Sequence, residues 1–257
     1  MTRITQSYKP DSADSTGSSK SPQAHVVSWV EMEAVVEFYS TRSTTPKGTQ
    51  QGVAYLLQQR PDRVAVIGLD VSLQDFSLTL VDATNVYYTT LPWGDESARK
   101  LLLRALYYIN DPPESMVDPT IVNEKDGTFT ITDNGKDYKG CTLLSCGHPI
   151  GRRTVVFDTG NPSAPIVKEQ YLRCHGAEIP EATILGVVHK PEEMPGVVRV
   201  LGSGYVKQAN GTSIECGKGG RRRRKVRVVL QDTGDLFMTI QTPYDALVTA
   251  WDALEGE

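Results

Sequence analysis

The sequence predicts an α+β protein built from two units. Apolar residues recur at helical spacing over 50–59 and 97–109, among runs of alternating or β-branched residues that read as strands. Prolines close both helices, Pro61 after the first and Asp111-Pro112-Pro113 after the second. From Asp118 the chain changes character and becomes a succession of short strands interrupted by one helix.

Residues 1–25 are rich in Ser, Thr, Asp and Lys and carry few large apolar groups. Such a segment cannot bury enough surface to offset its ordering entropy, so it is expected to be a disordered tail. The first unit is expected over 26–117. Val26–Phe38 reads as a strand after a short turn around Trp29, and Thr41–Gly48 as a loop. Gln50–Gln59 places Val53, Leu56 and Leu57 on one helical face. Val64–Leu73 and Phe76–Val81 are separated by a gap that admits only a turn, which predicts a hairpin, and Val86–Thr90 adds a strand. Ser97–Ile109 is amphipathic, with Leu101, Leu102, Ala105, Leu106 and Ile109 expected to face inward. In the second unit, 118–257, strands are expected at Phe129–Thr132, Cys141–Cys146, Arg153–Phe157, Pro165–Lys168, Val197–Val206 and Lys225–Leu230. A helix is expected over Ile179–His189, and a last one over Tyr244–Leu254.

Hydrophobic residues form 39% of the chain and charged residues 23%, a balance that suits a folded protein. The net charge of -4 argues against a general nucleic-acid binder. No apolar run approaches the roughly 18–20 residues of a membrane span, and the N-terminus lacks the apolar core of a secretory signal. An intracellular protein, cytoplasmic or nuclear, is the expectation. Cys141, Cys146, Cys174 and Cys216 form no C-x-x-C pair, so reduced, partly buried thiols are expected rather than a metal site with His148 and His175.

Three constellations bear on chemistry. Gly147 and Gly151 precede the strand Arg153–Phe157, and Lys168 ends the next apolar strand. A lysine so placed can reach nucleotide phosphates if a carboxylate from the following helix holds it; Glu181 is the candidate and Glu178 the alternative. Secondly, Asp158-Thr159-Gly160 and Asp232-Thr233-Gly234 echo the paired loops of aspartic proteases, although the same residues are ordinary in turns. Finally, the five basic residues Arg221–Lys225 read as a solvated loop running into a strand, with a nuclear address or nucleic-acid patch as the other reading.

Taken in order, several segments resemble the fungal-type protein kinase family. They are Gln58-Gln59-Arg60-Pro61-Asp62-Arg63, Asp118-Pro119-Thr120-Ile121, Gly151-Arg152-Arg153-Thr154 beside the family's G-R-G-T, and Val167-Lys168-Glu169-Gln170-Tyr171 beside its V-K-D-S-W. Glu181-Ala182-Thr183-Ile184-Leu185 is similar to its E-A-x-I-L; Pro195-Gly196-Val197-Val198, Arg224-Lys225-Val226-Arg227, Gly234 and Asp252-Ala253-Leu254 complete the series. The resemblance implies a kinase-like small lobe over 118–257, an antiparallel sheet plus one helix. It also implies ATP-dependent transfer to protein Ser or Thr, with ATP contact by Gly151, Lys168 and Glu181.

The departures shape the expectation. Arg153 and Val156 stand where the glycine-rich loop carries its second and third glycines. None of His25, His148, His175 and His189 precedes Arg-Asp, and Asp75-Phe76-Ser77 lies too far upstream to be a D-F-G segment. Val36-Glu37-Phe38-Tyr39 has Tyr39 where the family often has the lysine of a Glu-x-Lys pair, so no nuclease chemistry is assigned. The expectation is a chain that stops before the large lobe, with no catalytic residue of its own and a weak or vestigial ATP contact. Magnesium is expected only with the missing lobe. The alternatives are a non-catalytic, pseudokinase-like module that binds a protein partner or self-associates through its exposed underside and, more remotely, an aspartic protease-like hydrolase.

Overall fold

The computed structural model describes residues 29–39, 47–175, 178–190, 197–233, 242–244 and 247. The expected tail over 1–25, most of the expected loop over 41–48 and most of the expected helix over 244–254 lie outside the described residues, as do Pro195-Gly196 and Gly234.

The first unit is a sheet between two helices. β1 (Val35–Phe38) runs parallel to β2 (Ala65–Val71), and α1 (Lys47–Gln59) crosses between them. β2, β3 (Asp75–Asp82) and β4 (Val86–Pro92) pair antiparallel in chain order. α2 (Glu96–Asn110) follows, its N-terminus capped by Asp95, which accepts from the Ser97 N–H at 2.8 Å. Alternation along β2 supplies both faces. Val66 packs with Val53, Leu56, Leu57 and Val81 under α1, whereas Ile67 and Leu69 pack toward Ala98, Ala105 and Ile109 of α2. Gly68 lies beneath α1, where an added Cβ would stand 2.1 Å from Val53 Cγ2; the missing side chain lets the helix approach.

One face differs from the sequence expectation. On α2, Ala98, Ala105 and Ile109 are buried, while Leu101 and Leu106 are exposed along with Leu103 and Tyr107. Leucines surround this helix on several sides, so their periodicity does not single out the packed face.

The second unit is mainly antiparallel. β5 (Ile121–Asn123), β6 (Thr128–Asp133), β7 (Lys136–Cys146), β8 (Val155–Asp158), β9 (Ile166–Arg173), β10 (Val200–Tyr205), β11 (Glu215–Cys216) and β12 (Arg223–Leu230) form one sheet in the order β10-β12-β9-β8-β7-β6-β5, with β11 paired to β12. The β6–β7 turn is Asn134-Gly135, both at positive φ, as a tight two-residue hairpin turn requires. Ile121, Phe129, Ile131, Cys141, Phe157, Val167 and Val229 share one core, so the sheet rolls until β12 and β6 approach each other. α3 (Glu181–Val188) covers the other face, where Ala182 and Leu185 pack on Ile166, Leu172, Val226, Val228 and Leu230. The short β5 and β11 are additions to the elements expected from sequence. Among the described residues, no helix is long and apolar enough to cross a membrane.

The two units meet along a polar seam. The Asp118 N–H of the second unit donates to the Asp62 carbonyl of the first at 2.9 Å. Val64 and Ala83 of the first unit join Tyr171, Val206, Ile214 and Cys216 of the second in a common cluster.

Candidate functional site

Lys168 stands mid-strand on β9, opposite Val156 of β8 and Val228 of β12. Its side chain projects to the face that α3 covers. Pro180 sets the start of α3, its carbonyl accepting from the Thr183 N–H at 2.9 Å, and Glu181 falls in the first turn. A carboxylate there is favoured by the helix dipole. Lys168 Nζ lies 2.6 Å from Glu181 Oε2 and donates to Oε1 at 2.9 Å. The other acidic candidate is engaged elsewhere, since Glu178 accepts from the Arg173 N–H at 2.8 Å. Val156, the residue at the third glycine position, lies beside the lysine.

Gly151 does not join this pair. It adopts φ +104° in the β7–β8 connection, before β8 begins at Val155. Its N–H donates to the Ala83 carbonyl of the first unit at 2.7 Å. It lines a cavity with Thr84, Ile150, Arg173, Gly220, Arg221 and Arg223, and that lining includes neither Lys168 nor Glu181. Arg153, which stands at the second glycine position of the resemblance, reaches into the seam. Its guanidinium donates to the carbonyls of Arg63 at 2.7 Å, Leu57 at 2.5 Å and Arg60 at 2.8 Å. Gln58 Nε2 adds bonds to the Cys146 and Gly147 carbonyls, both at 3.1 Å. The glycine loop is thus fastened to the first unit.

The basic run divides by strand alternation. Arg224 faces Glu215 at 2.6 Å, whereas Lys225 turns inward. Lys225 Nζ lies 2.5 Å from Asp118 Oδ2 and 2.6 Å from Glu169 Oε2, and Arg227 Nη2 lies 2.5 Å from Glu169 Oε1. Each of these four side chains is at most 3% exposed. The run is therefore a loop entering a strand, as expected, but its far end is buried rather than solvated. Sequence reasoning named Asp118 and Glu169 only as members of family-like segments, with no site role, and did not name Arg173; the pairing of β9 with β12 is not visible in local pattern.

The two Asp-Thr-Gly segments have separate partners. Asp158 Oδ1 accepts from the Gly160 N–H at 2.8 Å in a turn. Asp232 accepts a two-pronged bond from Arg199 at 2.9 and 3.1 Å, which holds its carboxyl down at about 2. In the first unit, Glu37 lies opposite Asp70 across the β1–β2 pair, Tyr39 donates to Glu37 and Thr49 donates to Asp70. Burial pushes the Asp70 carboxyl up, and burial with the bond to Glu37 pushes the Tyr39 hydroxyl to about 12. The four cysteines are free thiols; burial raises Cys141 to about 11 and Cys216 to about 12, which leaves both poor nucleophiles. Among the described residues, no group of three or more His, Cys, Asp or Glu side chains is arranged to hold a metal ion.

Compared with protein-family models, with curated proteins and with solved structures, the chain matches none.

Proposed function

We propose that this chain comprises the N-terminal unit and the small lobe of a fungal-type protein kinase, and that Lys168 contacts the α- and β-phosphates of ATP. The observation that carries this reading is the Lys168 Nζ–Glu181 Oε2 ion pair at 2.6 Å. Protein kinases hold ATP with a lysine on the third strand of the small lobe, tethered by a glutamate from the next helix. In this chain β7, β8 and β9 are consecutive antiparallel strands, the lysine is on the third, and α3 comes next. β12 then returns to the same sheet beside β9, with β10 on its outer side, which agrees with a small-lobe arrangement. Gly151 contributes a turn in this scheme, because its N–H is already donated to Ala83. No catalytic residue is assigned: phosphoryl transfer also needs a base and magnesium-binding carboxylates, for which the sequence offers no kinase motif.

A partly exposed ion pair contributes no more than about 1 kcal/mol to stability, so Lys168→Ala should fold normally and isolate the effect on ligand. Titration with a non-hydrolysable ATP analogue is expected to show binding to wild type and at least about tenfold weaker binding to Lys168→Ala, the cost of one charge-assisted hydrogen bond. Equal affinity would remove Lys168 from any phosphate role.

A second reading, a non-catalytic pseudokinase-like binding module, draws on α3. Its Ile184 and Val187 are 50% and 65% exposed on the face away from the sheet. Self-association that rises with protein concentration in size-exclusion chromatography is its expected signature. A monomer at every concentration would count against it.

A further inference from the structure

The outer part of the basic run has no role in the Lys168–Glu181 pair. The β9–β12 register sets Arg223 directly opposite Arg173. Like charges facing each other across an antiparallel pair repel, so the sheet alone gives no reason for two arginines at this step. Arg221 joins them on the wall of a cavity of about 350 Å³, completed by Thr84, Ile150, Gly151 and Gly220. That size is within the range of small-molecule sites.

The positive charge here is only partly balanced. Arg173 Nε has Glu178 Oε1 at 3.6 Å. Arg221 donates to the Asn85 side chain at 3.3 Å and Arg223 to the Tyr171 carbonyl at 3.1 Å, both uncharged acceptors. The nearby acid Asp82 spends Oδ1 on the N–H groups of Thr84 and Asn85 and on the Thr84 hydroxyl. Among the described residues, these three cations share one ion-paired carboxylate, in a chain whose formal net charge is -4.

We propose that this cavity binds a phosphomonoester dianion. Guanidinium groups present paired N–H donors that match phosphate oxygens, and a doubly charged ligand would relieve the repulsion between Arg173 and Arg223. Ile150 offers an apolar wall to the carbon part of the ester. The site is separate from the Lys168–Glu181 pair, neither member of which lines it, although Gly151 of the ATP expectation does. The same chemistry is carried by a small soluble phosphate ester and by a phosphorylated side chain of a peptide.

Calorimetric titration of the full chain with glycerol 3-phosphate, and with a short phosphoserine peptide, tests the proposal. Glycerol and the unmodified peptide serve as controls. Saturable binding of at least one phosphorylated ligand is expected, with neither control binding. The tighter of the two identifies the source. Arg173→Gln and Arg221→Gln should each weaken binding about tenfold, the loss of one charge-assisted hydrogen bond. Lys100→Gln, on the exposed surface of α2, should leave it unchanged. Arg221 is exposed at the end of the single 3-10 turn Gly219–Arg221, so its variant decides the matter even if Arg173→Gln fails to fold. Absence of saturable binding by either phosphorylated ligand, or wild-type affinity in Arg221→Gln, would overturn the site. Loss of binding in Lys168→Ala but not in Arg221→Gln would also overturn it and assign the phosphate to the Lys168–Glu181 pair.

Discussion

Replacing Lys225 with methionine is expected to destabilise the protein by about 3–5 kcal/mol, enough to abolish most of the stability of an ordinary domain. The Lys225 ammonium is the shared partner of Asp118 and Glu169, and all three side chains are at most 3% exposed. Two carboxylates and two cations balance in this interior, with Arg227 also donating to the Thr120 hydroxyl at 2.7 Å and to the Thr132 carbonyl. Methionine preserves volume but leaves two buried carboxylates facing one guanidinium. Urea denaturation at pH 7 measures the loss. A change below about 1 kcal/mol would mean that water reaches the network and that its burial does not set its energy.

Acid makes a second reading of the same network. Burial opposes ionisation of Asp118, but the charges of Lys225 and Arg227 and the hydrogen bonds from Lys225 and Thr120 outweigh it, so the carboxyl sits below its ordinary range. A group whose folded pKa is depressed stabilises the protein fully above its unfolded value, about 3.9 for Asp. That contribution is lost as pH falls through the folded value. Wild type should therefore lose stability on acidification below about pH 4. In Lys225→Met a carboxylate without its cation takes up a proton more readily, so the gap between variant and wild type should narrow as pH falls from 7 toward 4. A gap that stays constant over that interval would indicate lost packing rather than an uncompensated charge.

What was legible in the sequence follows the distance between partners along the chain. The Lys168–Glu181 pair spans 13 positions, and a strand followed by a helix is enough to predict it. The hairpin of β2 and β3, the end of α1 and both ends of α2 to within a residue were legible for the same reason, since turns, caps and prolines act locally; α1 itself begins at Lys47, inside the expected loop. By contrast, Arg227 meets Glu169 across 58 positions, and Lys225 meets Asp118 across 107. Those contacts depend on β12 inserting beside β9, which no local pattern specifies. The basic run illustrates the limit: alternation along a strand is readable, but whether its inner face meets water or two carboxylates is decided by the partner strand. Arg173 carried no signal at all until the register placed it opposite Arg223.

Arg153→Ala is expected to cost roughly 3–5 kcal/mol, because three carbonyls in the seam lose their donor and a large buried side chain leaves a void. Arg153 occupies φ +41°, a left-handed conformation that a residue with a Cβ adopts only at a cost of about 1 kcal/mol. Glycine removes that cost, so Arg153→Gly should be less damaging than Arg153→Ala by about 1 kcal/mol although it too loses every hydrogen bond. Arg153→Lys keeps the charge, but an ammonium cannot reproduce the planar fork that reaches Leu57, Arg60 and Arg63 together, so it should recover only part of the loss. Denaturation midpoints of the three variants test this order. Hydrogen exchange adds a local readout: the Gly151 amide, now donated to Ala83, should exchange faster in Arg153→Ala than in wild type. If Arg153→Ala melts within a degree or two of wild type, the clamp is dispensable. If alanine and glycine are equally damaging, the left-handed backbone carries no strain. The ordering has a consequence for the glycine loop itself. At the position where the kinase pattern has its second glycine, this chain accepts backbone strain in exchange for a side chain that fastens the loop to the first unit. A loop so held cannot fold freely over a ligand, which is why the proposed phosphate contact falls to Lys168 and not to the amide of Gly151.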